Sequence, residues 1–217
     1  MLILKIIYLQ QLILEILTKF RNIIAHYIKD TYIIEDISVE NEYATYAIDE
    51  NLFVTINNNQ KWIVGIINTI SKKLRLEITE LRNTETMKKI ISTHVKKGNI
   101  IVSDAWAAYS WLDDVNSGYI HHVHNHGHGD FGFGIDSTSH IEQIWGNLKN
   151  LIKNIYYSIP HEHFVLYIRE AEFRRAFKML PKEKRLTEIY TVFNYIRDLK
   201  LGELYTEEEL YEITNKL

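Results

Sequence analysis

Apolar positions change period several times along the chain, and each change marks a predicted element. Residues 3–28 carry Ile6, Leu9, Ile13, Ile16, Leu17 and Phe20 at helical spacing. They predict a helix with a broad apolar face that ends near Asp30. Residues 31–45 keep no clear period and read as an irregular or weakly extended link. From Tyr46 the pattern shortens to strand type. Tyr46–Val54 is rich in β-branched and aromatic residues, Asn57-Asn58-Asn59-Gln60 is a turn signal, and Lys61–Ile70 and Lys73–Thr79 follow as strands. The second of these alternates Leu74, Leu76 and Ile78. Asn83 or Thr84 can cap a helix running to about Lys97, and Gly98 suits its C-terminal cap. Asn99–Ser103 predicts a short buried strand, Ala105–Leu112 a short helix, and Tyr119–Val123 another strand. The Gly- and His-rich stretch His124–Gly134 reads as a loop. Thr138 or Ser139 can cap a helix over 140–157. Pro160 opens another that reaches about Met179 and is ended by Pro181. Residues 186–199 and 206–216 predict two final helices.

Three hairpin-linked strands followed by strand–helix–strand units fold into a mixed sheet with helices on its faces. The expected class is therefore α/β, an RNase H-like mixed five-stranded sheet flanked by helices, with extra N-terminal and C-terminal helices. The expected division is an N-terminal helical region at 1–45, the sheet-bearing domain at 46–180 and a C-terminal helical tail at 181–217.

Composition narrows the class. At 217 residues and 46% hydrophobic content, the chain can bury a sizeable core. It has no cysteine, which excludes a disulfide scaffold and cysteine-ligated zinc. Met1–Leu17 is very apolar, but Lys5, Gln10, Gln11 and Glu15 interrupt it and no small-residue cleavage site follows. A helix packed on the domain or on a partner is expected, with no secretion signal and no membrane. Net charge is −3, which does not mark a nucleic-acid binder. The distribution differs from the total. From Leu186 onward three basic residues face seven acidic ones, so that tail is −4 and residues 1–185 sum to +1. Within 145–185, Lys149, Lys153, Arg174, Arg175 and five other basic residues face four acids, a moderate basic stripe whose plain alternative is a solvated helix face.

Three carboxylates stand where such a sheet would carry a site. Asp49 lies mid-strand in Tyr-Ala-Ile-Asp-Glu, where an acid is costly without a partner. Asp104 ends the strand Ile-Val-Ser-Asp, and strand C-termini are where open α/β sheets bind ligands. Glu142 opens a helix on which Trp145 and Lys149 follow at neighbour spacing. Each has a structural alternative. Asp49 could cap a turn or pair with an arginine, Asp104 could cap the helix after it, and Glu142 could favour the helix dipole. Converging, the three would suit phosphodiester cleavage. Two Mg²⁺ ions about 3.5–4 Å apart stabilise both the attacking and the leaving oxygen, and Mg²⁺ takes hard carboxylate ligands.

These residues and their order resemble the Merlin-type (ISXO-like) DDE transposases. The resemblance covers about Tyr46 to Phe177. It rests on Ala47-Ile48-Asp49-Glu50, Trp62-Ile63-Val64-Gly65, Thr84-Glu85-Thr86, and Gly98 through Trp106 with Ala108-Tyr109. It continues through Val123-His124-Asn125-His126 before Phe131, Ile141-Glu142-Gln143-Ile144-Trp145 with Lys149, and Tyr167 with Glu172-Phe173-Arg174. The resemblance implies that Asp49, Asp104 and Glu142 form the catalytic triad and ligate two Mg²⁺ (or Mn²⁺) ions. It implies hydrolysis at transposon ends followed by strand transfer through a 3′-hydroxyl. Lys149, Trp145, Lys153, Arg174 and Arg175 are the expected DNA-binding residues. The implied partners are transposon-end and target DNA and further copies of the chain in a homo-oligomer. The implied compartment is the nucleus in a eukaryote, otherwise the cytoplasm or nucleoid.

The chain also departs from the family. It lacks the paired cysteines of an N-terminal zinc ribbon, so residues 1–45 preserve at most part of a DNA-binding region. Leu52–Gln60 holds no basic residue, and Ser137-Thr138-Ser139-His140 replaces a His-Thr-Asn-like run. An alternative reading is a catalytically inactive, truncated or domesticated copy that binds DNA or protein. Two other features have plain readings beside sharper ones. The histidines His121, His122, His124, His126 and His128 could bind a transition metal or simply form a polar loop. The aromatics Trp106, Tyr109, Trp111, Phe164, Tyr167, Phe173 and Phe177 are expected in the core rather than stacked on bases.

Overall fold

The computed structural model describes residues 2–31, 44–56, 59–124, 138–152 and 163–199. The elements are α1 (Leu2–Thr31), β1 (Thr45–Ile56), β2 (Asn59–Asn68), β3 (Leu74–Thr79), α2 (Thr84–His94), β4 (Ile100–Asp104), β5 (Ile120–His124), α3 (Ser139–Leu151), α4 (Phe164–Met179) and α5 (Lys182–Asp198). Two 3-10 turns, Ala107–Asp113 and Val115–Ser117, lie between β4 and β5. The chain divides into two compact units, one holding α1, α4 and α5 and the other the five strands with α2 and α3.

The strands run in the order β3-β2-β1-β4-β5. β1 and β2, and β2 and β3, pair antiparallel; β1 and β4, and β4 and β5, pair parallel. Three meandering strands with two parallel additions on the far side of β1 are the RNase H-like arrangement. From Thr45 to Ile48 the central strand β1 is buried on both faces, and successive side chains alternate between them. Tyr46 and Ile48 meet Val64, Ile66, Met87, Ile91 and Tyr109 in the core beneath α2. Asp49 points to the opposite face.

Local chemistry moved several boundaries. β2 stops at Asn68, where the Asn68 side chain accepts from the N–H groups of Ile70 and Ser71 and turns the chain. α2 ends at His94 rather than Lys97, because Val95 is already extended. Gly98 adopts φ +91° three residues later and serves the turn into β4 instead of a helix cap. The helix expected from Ala105 is a 3-10 turn beginning at Ala107, since Trp106 is extended with ψ 134°. α5 begins directly after Pro181, whose fixed φ suits a helix start. The expected helix at 206–216 and the Pro160 start lie outside the described residues.

In the helical unit, Ala25 of α1 packs on Leu166 of α4. Glu170 accepts from Arg21 at 2.6 Å and from Arg174 at 2.7 Å. From Ile6 (49%) to Phe20 (48%), α1 keeps its apolar side chains exposed. Among the described residues, no helix is long and apolar enough to cross a membrane.

Candidate active site

The site grows from a close approach between a helix and the sheet. Asp49 stands opposite Gly65 in the β1–β2 ladder. A Cβ built on Gly65 would lie 2.6 Å from Ile141 Cδ1 and 2.8 Å from the Trp145 ring. Only glycine lets α3 settle this low on β2. The approach brings the Trp145 indole N–H to Asp49, donating to Oδ2 at 2.7 Å. The edge of Phe53 closes on the same indole, with centroids 5.8 Å apart. Lys149, one turn further along α3, lies 6.0 Å from the Phe53 ring centroid and is exposed.

Asp49 sits in an unfavourable place for a charge. Burial pushes its pKa up from 3.8 to about 6, and the neighbouring charges of Glu50 and Asp104 push the same way. The Trp145 donor and the Glu50 backbone N–H offset part of this. Asp104 is thus close enough to Asp49 for their charges to act on one another. Its own Oδ1 accepts from the Trp106 backbone N–H at 3.0 Å, which holds the carboxylate at the mouth of the turn after β4.

Glu142 occupies the first turn of α3, one turn ahead of Trp145. It is exposed and accepts from Thr138 Oγ1 at 3.1 Å. Thr138 therefore tethers Glu142 rather than capping the backbone of α3, whose start has no side-chain cap bond. Asp104 is near enough to Asp49 for its charge to act there, and the Trp145 bond to Asp49 fastens the helix of Glu142 to the same strand. Among the described residues, no group of three or more His, Cys, Asp or Glu side chains is arranged to hold a metal ion.

The expected DNA-binding residues separate. Trp145 is 4% exposed, bonded to Asp49 and packed over Gly65. Its apolar neighbours at helical spacing, Ile141, Ile144 and Leu148, bury that whole face of α3. Lys149 remains on the exposed side. Lys153 lies outside the described residues. Arg174 and Arg175 belong to α4 in the helical unit, and Arg174 is ion-paired with Glu170. Of the histidine run, His121 is used structurally, bonding Ser103 Oγ at 2.9 Å and Asp113 at 2.8 Å. His124 pairs in register with Asp104, while His126 and His128 lie outside the described residues. Tyr109, Phe164 and Tyr167 are buried as core.

Sequence reasoning passed over the far face of β1. Glu50 is buried there, accepting from Arg82 Nε at 2.8 Å and from the Tyr109 hydroxyl at 2.6 Å. Burial raises the Glu50 pKa, and the Tyr109 and Arg82 donors work against that rise. The Tyr109 hydroxyl is pushed well above its usual range by burial and by the Glu50 charge. An acid immediately after Asp49 and a lone arginine between β3 and α2 were the available signals.

The strand order β3-β2-β1-β4-β5 with helices on its faces defines the class: an RNase H-like α/β domain. The profile of the ISXO2-like transposase domain matches residues 29–176, and the chain belongs to that family. No curated protein matches its sequence. Two solved structures show weak likeness. One is the intasome of simian T-cell lymphotropic virus in complex with the PP2A regulatory subunit B56 gamma, at 14% identity and TM-score 0.37. That likeness covers 77% of this chain and 53% of the other, so the chain spans about half its length. The other is the HTLV-2 integrase catalytic core domain in complex with magnesium, at 14% identity and TM-score 0.41, covering 63% of this chain and 86% of that one. The fold assignment rests on the strand order and not on these two likenesses.

Proposed function

We propose that the chain is the catalytic domain of a Merlin-type DDE transposase, cleaving DNA at transposon ends and joining the freed 3′-hydroxyl to target DNA. The observation that carries this reading is Asp49, a buried carboxylate bonded to the Trp145 indole of the helix that bears Glu142, with Asp104 of a separate strand near enough for its charge to act on it. Like charges gathered at one place cost stability unless a cation joins them. Hard oxygen donors suit Mg²⁺ or Mn²⁺, which one or two carboxylates and substrate phosphate commonly hold. Asp49 and Asp104 would be the primary ligands, with Glu142 completing the set for two ions. When bound, such ions activate the attacking oxygen and stabilise the leaving one.

The protein's own contributions are positional. Trp145 fixes the orientation of Asp49 by bonding its Oδ2. The Trp106 N–H does the same for Asp104. Lys149 presents a cation on the exposed side of α3, where it would meet a DNA phosphate. Joining two DNA ends requires more than one catalytic domain, so the working form is a homo-oligomer.

The second reading is a catalytically inactive copy that binds DNA or protein. It is favoured by Glu142 bonding Thr138 and by the absence of a three-ligand cluster among the described residues. Nicking of a supercoiled plasmid in Mg²⁺ or Mn²⁺, compared with Asp104→Asn, separates the two. The enzyme reading expects metal-dependent nicking lost at least a hundredfold in the variant. Equal activity in both proteins overturns it, and DNA retention without nicking in either supports the second reading.

A further inference from the structure

The backbone ladder between the two central parallel strands ends short of the site. β1 and β4 pair from Thr45–Ile100 to Ala47–Val102, two residues before Asp49 and Asp104. Another device must fix the distance between these carboxylates, and the far face of the sheet supplies one. The Arg82 guanidinium lies between two indoles, 4.7 Å from the Trp62 ring centroid and 4.1 Å from that of Trp106. Its Nε donates to Glu50 Oε1 at 2.8 Å, and its terminal nitrogen reaches the same oxygen. The second Glu50 oxygen accepts from the Tyr109 hydroxyl. Tyr109 meets Trp106 edge-on at 5.4 Å, and the Trp106 N–H holds Asp104 Oδ1 at 3.0 Å. Arg82 therefore joins β2 through Trp62, β1 through Glu50 and the turn after β4 through Trp106. A planar, forked cation suits this setting: it lies near both rings while two of its nitrogens bond Glu50 Oε1, and a compact ammonium offers neither the plane nor the fork.

We propose that Arg82, acting through Glu50, Tyr109 and Trp106, is a positioning residue that sets the spacing of Asp49 and Asp104 where the strand ladder no longer does. Arg82 contacts neither carboxylate of the pair in this arrangement. The inference rests on the proposed metal role of that pair for its functional consequence, but its structural content stands apart from it.

Charge and position predict opposite signs, which makes the proposal testable. Removing a cation close to an acidic pair strengthens metal binding if the effect travels through space. Removing the support that spaces the pair weakens it, and supports behind metal ligands typically contribute 10–100-fold to affinity. Mn²⁺ binding to the full chain is measured by calorimetry for wild type, Arg82→Gln and Arg82→Lys. The expected result is at least tenfold weaker binding in both variants, because lysine restores the charge and not the fork. Binding that is unchanged in Arg82→Lys, or tighter in Arg82→Gln, overturns the proposal. A metal-free readout runs beside it: hydrogen exchange of the Trp106 amide, with the Met87 amide of α2 as the internal reference. Arg82→Lys is expected to speed Trp106 exchange about tenfold more than Met87 exchange. Equal acceleration at both amides marks a general loss of stability and also overturns the clamp. If wild-type protein binds no Mn²⁺, the metal-site reading fails, and the Trp106 exchange alone then decides the clamp.

Discussion

Replacing Asp49 with asparagine should make the protein more stable, and by an amount that depends on pH in a defined direction. Asparagine keeps the shape of aspartate and an oxygen that can still accept from the Trp145 indole N–H, now at 2.7 Å. It removes a charge whose burial raises the Asp49 pKa from 3.8 to about 6. The unfolded chain loses this proton near 3.8 and the folded one near 6, so between those values the folded state binds more protons. Stability therefore falls as pH rises through that window and stays lower above it. At 1.36 kcal/mol per pH unit, the difference corresponds to about 3 kcal/mol above pH 6 and vanishes below pH 4. For a chain of this size, about 3 kcal/mol is a rise in Tm of roughly 6–12 °C. Urea denaturation of wild type and Asp49→Asn with EDTA present, at pH 4 and pH 7.5, measures it. A stabilisation at pH 7.5 that disappears at pH 4 is expected, with loss of any metal-dependent nicking. A gain that is the same at both pH values, or a destabilisation at pH 7.5, refutes the claim that Asp49 is held as a strained charge.

Three further outcomes follow from the same geometry. Trp145→Phe removes the donor that lowers the Asp49 pKa. A hydrogen bond to a charged group contributes about 1.5–3 kcal/mol, so the acid limb of the nicking pH profile should move up by about one to two pH units; an unmoved limb would disconnect the indole from the reaction. Gly65→Ala places a methyl 2.6 Å from Ile141 Cδ1 and should cost about 1–3 kcal/mol in urea melts, with α3 displaced. Gly146→Ala, with nothing within 4 Å, should stabilise by about 0.5–1 kcal/mol and serves as its control. Lys149→Ala should weaken DNA binding evenly across sequences and reduce the slope of log K against log salt by about 1 in a titration by fluorescence anisotropy. An unchanged slope removes Lys149 from the DNA surface.

Much of the sheet was legible in the chain because strand information is local. The alternation Leu74, Leu76, Ile78 needs only its own pleat to be read, and the run Ile100–Ser103 needs only its lack of polar residues. Asp49 and Asp104 stood out for the same reason, as charges in places where a strand should have none. Trp145 shows where that reading stops. Its spacing from Glu142 and Lys149 suggested one shared face, yet Trp145 is buried while Glu142 and Lys149 are exposed. Whether that side met solvent, DNA or the sheet depended on Gly65, which is 80 positions away in sequence. The absence of a side chain there has meaning only once another element arrives above it.

Glu50 and Arg82 mark the same limit from the opposite face. Sequence by itself determined the alternation that sends Asp49 and Glu50 to different sides of β1, since adjacent residues on a pleated strand must diverge. It also determined the family, through motifs whose order survives without any fold. Tertiary structure alone decided what each acid meets. Burial, a distant indole and a second carboxylate act on Asp49, while a guanidinium held between two tryptophans acts on Glu50. Those partners come from strands and turns that are remote in the chain, and the energies that define a site fall off over a few ångströms in space, not over positions in a sequence.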